Sequence, residues 1–150
     1  MNRKYVAVFS MFAVAAIWAV DSSCAATNKA TCAILTFDAK GGLSVEECAL
    51  LSDRFMGEFD RLGQYTVLPR AKMTEVLKMQ EFSRSDNCSA SDCAIEAGKL
   101  LSVRYMVYGS IGKIGGMFTL NTFMVNVETG ATEKRAMTDH EGRIEDLMKL

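Results

Sequence analysis

The residues of this chain best placed to do chemistry are its five cysteines, Cys24, Cys32, Cys48, Cys88 and Cys93. Cys88 and Cys93 bracket the short polar stretch Ser89-Ala90-Ser91-Asp92, which makes them the expected disulfide pair. On the chain-entropy model, closing so small a loop stabilises the fold by roughly 2 kcal/mol. The spacing is not the Cys-x-x-Cys of redox-active pairs, and a zinc site would need further Cys or His close by, whereas the one histidine is the distant His140. Cys32 falls in a predicted strand and Cys48 in a predicted helix, so they could be bridged or could fill the core as free thiols. Cys24 follows an N-terminal apolar run, as the lipidated residue of a bacterial lipoprotein does. Asp21 stands three positions before it, where lipidation calls for an aliphatic residue.

Other reactive patterns dissolve on inspection. Gly109-Ser110-Ile111-Gly112-Lys113 lacks the four-residue gap of a phosphate loop, and Ile114 follows where Ser or Thr is required. A nucleophile–base pair could only be built around His140, and its neighbours Thr138, Asp139 and Glu141 form no catalytic motif. Glu46, Glu47, Asp53, Glu58 and Asp60 fall at helical spacing on one polar face, the pattern of a solvated surface. Met56, Met73, Met79, Met106, Met117, Met124, Met137 and Met148 are scattered as core fillers, without the dense clustering a soft-metal site would show. The reading is therefore a non-enzymatic chain with no catalytic residues, no cofactor and no metal.

The N-terminus reads as an export signal. Arg3 and Lys4 precede the uncharged run Tyr5 to Val20, and the small residues Ser22, Ser23, Ala25 and Ala26 follow. Sixteen apolar residues fall short of the roughly 20 that span a bilayer, so a signal peptide at 1–25, cut after Ala25, is expected ahead of one domain at 26–150. Loss of Arg3, Lys4 and Asp21 takes the formal charge from −1 to −2. No basic patch remains, and nucleic acid is excluded as a partner on charge as well as compartment. The chain as a whole is 49% hydrophobic and 23% charged with one proline, a globular composition with room for a single core.

The elements that would carry these residues follow from periodicity. Cys32 to Asp38 is a short apolar strand ended by Gly41-Gly42. Ser44 and Glu47 have capping-box spacing, and Ala49, Leu50, Phe55, Phe59 and Leu62 repeat helically until Gly63. Tyr65 to Leu68 is a second strand, Pro69 ends it, and Arg70 to Gln80 is a second helix with Met73, Val76 and Leu77 on one side. After a polar loop from Ser83, Asp92 to Leu101 is a third helix with Ser91 as its expected cap. The period then becomes two over Tyr105–Ile114, Met117–Val127 and Ala131–His140, an antiparallel meander, and Ile144, Leu147 and Met148 begin a last helix. The expected fold is a two-layer α/β domain, β-α-β-α-α-β-β-β-α, with helices packed on a mixed sheet of about five strands.

Taken together, the strand ILTFDA, the segment YTVLPRAKMTEVLKMQ, the cysteine-bracketed loop, the helix DCAIEAGKLLSVRY and the meander MVYGSIGKIGGMFTLNTFMVNVETG resemble the CsgG-like bacterial envelope proteins. That family includes the curli-secretion lipoprotein, the penicillin-binding-protein activator LpoB and the TolB N-terminal domain, and the likeness spans most of residues 32–148. It implies a domain in the periplasm or on the periplasmic face of the outer membrane, often lipid-anchored. Such a domain docks onto envelope proteins in secretion, wall synthesis or surface-structure assembly, without shared catalytic residues and with homo-oligomers among its forms. The alternative the family offers is a subunit of a ring-shaped secretion channel, but this chain has no room for the inserted hairpins that build such a pore. Two surfaces are candidates for docking, namely the edge of the meander, by strand addition, and the loop from Phe82 to Ser91.

Overall fold

The computed structural model describes residues 28–82 and 88–143. The expected export signal with Cys24 and Ala25, residues 83–87 of the expected polar loop and the expected helix from Ile144 onward lie outside the described residues.

What the sequence presents as one strand from Cys32 to Asp38 is two, β1 (Thr31–Ile34) and β2 (Asp38–Lys40). Both pair in parallel with β4 (Tyr105–Ile114), but Ile34 is opposite Val107 while Asp38 is opposite Ser110, so three residues of one strand face two of the other. The extra residue forces the break. Leu35 N still donates to Val107 O at 2.9 Å, whereas Phe37 N leaves the ladder and donates to Ser52 Oγ at 2.9 Å. Arg70 satisfies the acceptors left over: its Nη1 donates to Ile34 O at 3.2 Å and to Thr36 Oγ1 at 3.0 Å, and its Nε holds Asp53 at 2.9 Å. Backbone polar groups that leave a ladder need such partners, and here one helix side chain and one arginine supply them.

Helix α1 (Val45–Arg61) starts on the expected capping box, with Glu47 N donating to Ser44 Oγ and Ser44 N to the Glu47 carboxylate. Those bonds hold the Glu47 carboxyl below its ordinary pKa. Cys48, Leu51 and Ser52 are buried, and Phe55 and Phe59 pack partly beneath the helix. Leu50 and Leu62, placed by periodicity on the apolar face, are 63% and 66% exposed. Leu50 lies off the stripe centred on Cys48, Leu51 and Phe55, and Leu62 is the C-cap past the last turn. Strand β3 (Thr66–Val67) ends before Pro69, which caps α2 (Arg70–Met79). Helix α3 (Ala90–Leu100) is capped by Ser89 rather than Ser91: Ser89 Oγ accepts from Asp92 N at 3.1 Å. The cap moves upstream because Cys93 is already in the first turn, joined there by a disulfide to Cys88, their Cα atoms 5.8 Å apart.

Strands β4, β5 (Met117–Asn126) and β6 (Thr132–Glu141) form the expected antiparallel meander, with Gly115 at φ 60° in the first turn. The sheet has six strands, one more than expected because of the β1/β2 break, in the order β3-β1-β4-β5-β6 with β2 also beside β4. Helices cover both of its faces, one layer more than the two-layer reading. Cys32, Ile34, Val107 and Ile111 point to α1, while Ala33, Leu35, Met106 and Val125 point to α2 and α3. The uninterrupted apolar run of β1 is what a strand buried on both faces requires. Among the described residues no helix is long and apolar enough to cross a membrane.

Cys32 and Cys48 settle as free, buried thiols in the α1 core. Burial pushes the Cys32 thiol up to about 12. Cys48 is raised by burial and by the nearby charge of Asp38, and its Sγ donates to Phe37 O. A group held protonated far above neutral is a poor nucleophile. Alkylation of the folded protein at about pH 8.5, the ordinary thiol value, should leave Cys32 and Cys48 unlabelled; denaturation should expose both, and Cys88 and Cys93 should label only after reduction. Peptide mass mapping reads each site. Packing between α3 and the sheet gives a second prediction, since a methyl at Gly98 would run into the Val127 and Met106 side chains whereas nothing approaches Gly116. Gly98→Ala should cost about 1–3 kcal/mol in chemical denaturation, and Gly116→Ala within about 0.5 kcal/mol of the parent.

Candidate functional site

The α1 face of the sheet is not wholly covered by its helix. An open groove of about 260 Å³ runs between α1 and the outer strands, floored by Phe37, Ile111, Phe118 and Leu120. Leu51 and Phe55 form its helix wall, Thr138 and His140 of β6 the other, and Arg54 and Glu58 its rim. The strand register builds this arrangement, setting Phe118 opposite His140 and Leu120 opposite Thr138 on one face. On the helix, positions 51, 54, 55 and 58 recur at three and four residues, so they share one side.

The floor continues into an aromatic ladder along α1. Phe37 meets Phe55 edge-on at 5.1 Å, followed by Phe59 at 5.9 Å, Tyr65 at 5.5 Å and Tyr105 at 5.6 Å. Such pairs stiffen the wall beyond what area burial alone provides. Charge is confined to the margins. Arg54 pairs with Glu58 at 3.1 Å, Arg61 pairs with the same carboxylate at 3.0 Å, and Lys134 lies 5.6 Å over the Tyr65 ring. His140 Nε2 is buried with no hydrogen-bond partner among the described residues, and Thr138 brings a hydroxyl-bearing side chain to the same wall. The groove is smaller than the roughly 300–1,000 Å³ of sites that engulf a small molecule, so it fits one or two apolar side chains.

The other sequence candidates fall apart in space. Gly109 to Lys113 are ladder residues of β4 paired with β5, so no phosphate-binding loop exists there. Three of the five acidic residues of α1 are occupied separately: Glu47 in the cap, Asp53 by Arg70, Glu58 by two arginines. No group of three or more His, Cys, Asp or Glu among the described residues is disposed to hold a metal. Of the two expected docking surfaces, the meander edge is β6 itself, exposed along its length except at His140. The loop from Phe82 to Ser91 is described only at its ends. Sequence periodicity missed Phe118 and Leu120 as site residues; their alternation with Thr119 and Asn121 marks a buried face but does not say that α1 leaves it open.

No family model and no curated protein matches the sequence. Among solved structures, the chain is similar to the LpoB C-terminal domain from Escherichia coli, with TM-score 0.61 and 14% identity over 75% of this chain and 83% of that one. Lipoprotein GNA1162 from Neisseria meningitidis aligns with TM-score 0.61 and 10% identity over 75% and 80% of the two chains. A PelC dodecamer from Paraburkholderia phytofirmans aligns with TM-score 0.53 and 11% identity over 81% and 80%. At these identities the likeness is one of architecture, and the chain has the fold of the LpoB C-terminal domain.

Proposed function

We propose that this chain is a non-catalytic docking protein of the bacterial cell envelope, exported to the periplasm or the periplasmic face of the outer membrane. In this reading its α1 groove receives an apolar side chain from an envelope-assembly partner. The carrying observation is the groove: a rigid, aromatic-walled hollow open to solvent, with charge only at its rim. Desolvated pockets of this kind, ringed by polar residues, are where partner-binding energy concentrates. The fold shared with LpoB and with the GNA1162 lipoprotein supports an envelope setting, as does the signal-like N-terminus. A leader cut after Ala25 removes Cys24, so the exported chain carries no lipid in this reading.

A photo-crosslinking residue placed at Thr138, on the groove wall, should capture one defined envelope protein in intact cells, while the same residue at Glu75 on the opposite layer should not. Filling the groove by Thr138→Trp should reduce partner binding by about tenfold or more, the scale of one anchor side chain, without lowering thermal stability. Equal capture at both positions, or a catalytic activity lost on changing His140, would refute the reading. The intact mass of the exported protein should correspond to a start at Ala26; a diacylglyceryl mass on Cys24 would refute the soluble form.

A further inference from the structure

The β6 edge has a self-complementary pattern. Gly142 N donates to Gly116 O at 3.0 Å, which fixes the alternation along the β5–β6 ladder. Even-numbered residues of β6 bond to β5, and Arg135, Met137, Asp139 and Glu141 turn their N–H and C=O groups away from the sheet. Met137 is in the middle of this row, 68% exposed. Two residues before it is Arg135, its guanidinium 5.9 Å over the Phe123 ring; two residues after it is Asp139, its Oδ1 accepting from Thr119 Oγ1 at 2.7 Å. Both charges are thus steadied from the neighbouring strand, on the sheet face away from the groove.

We infer that β6 pairs antiparallel with β6 of a second copy of this chain about a two-fold axis at Met137, joining the two sheets into one. The axis sets Met137 against its own counterpart and Arg135 against Asp139 of the second copy, twice by symmetry. Cross-strand ion pairs of this kind stabilise, and like charges in the same position destabilise. The side-chain pattern separates this register from its neighbours. Sliding by two residues one way sets Arg135 against Met137 and leaves no ion pair; sliding the other way pairs Arg135 with Glu141 but opposes exposed Met137 to Asp139. The Met137 axis brings Glu133 toward Glu141 of the second copy, but Glu133 is outside the regular ladder, beyond the register shift at Met124/Val125, where it accepts from Asn126 Nδ2 at 3.1 Å. On the groove face the axis places Lys134 across from His140 and Ala136 across from Thr138. The strand has ten residues, long enough for such an edge to pair. The inference goes beyond the docking reading and does not rest on it.

The test is sedimentation velocity of the purified protein over a range of concentrations. The parent should dimerise reversibly. Arg135→Asp and Asp139→Arg should each weaken the dimer by about tenfold or more, because each creates two like-charge contacts, and the double exchange should restore it. Met137→Cys should form an interchain disulfide on mild oxidation, since directly opposite residues in a bonded pair have Cα atoms about 5.5 Å apart. Ala136→Cys, which faces Thr138 of the second copy, should not. A parent that is monomeric throughout, single variants that dimerise like the parent, a double exchange that fails to recover, or no crosslink at position 137 would each overturn the inference. Because Thr138 faces Ala136 of the second copy, capture there of a protein other than this chain is what reports separately on the docking groove.

Discussion

Strand β4 is the constraint on which the remainder depends. One of its edges bonds β1 and then β2 in parallel, the other bonds all of β5 antiparallel, and its alternating side chains feed two separate cores. Met106 and Val107 are adjacent in sequence yet belong to opposite layers. A one-residue slip would exchange the two sets and strand apolar residues against the wrong helices, so the register is held by both cores at once. Gly109 shows how close the fit is: a methyl there would collide with the Asn121 carbonyl across the ladder.

The mismatch between β1–β2 and β4 has consequences at a distance. Because the backbone leaves the ladder at Phe37, that ring turns toward α1 and begins the aromatic ladder that walls the groove. Arg70, at the start of α2, reaches through to the same break and to Asp53 on α1, so one guanidinium ties together elements from both helical layers. Asp53 is 62% exposed, and that ion pair adds little by itself; the bonds to Ile34 O and Thr36 matter more because they occupy backbone and side-chain acceptors that water reaches poorly.

The arrangement suits recognition more than reaction. The groove floor is hydrocarbon, its ionic groups are already paired at the rim, and the free thiols are sealed in the core. The two surfaces open for contact, groove and β6 edge, share residues 138–140, with alternate side chains serving each. A partner seated in the groove and a second copy along the edge would therefore touch the same strand from different directions. That proximity offers a direct route by which one contact could alter the other.

Much of the architecture was legible from the chain. The capping box at Ser44 and Glu47, the stop at Pro69, the glycine turn at Gly115 and the change of period after Tyr105 are local signals, because propensity, capping and turn geometry act within a few residues. The cysteine pair was likewise expected from sequence proximity, and the fold joins Cys88 to Cys93. Only the tertiary structure decided the split of the first strand, the second helical layer and the site. The split arises from a register difference against β4, whose paired residues are 72 to 73 positions away. The groove brings together Phe37, Phe55, Phe118 and His140, which no spacing relates, and its openness depends on how far α1 extends across the sheet. Periodicity tells which face of an element is apolar; what covers that face is decided by packing between elements distant in sequence.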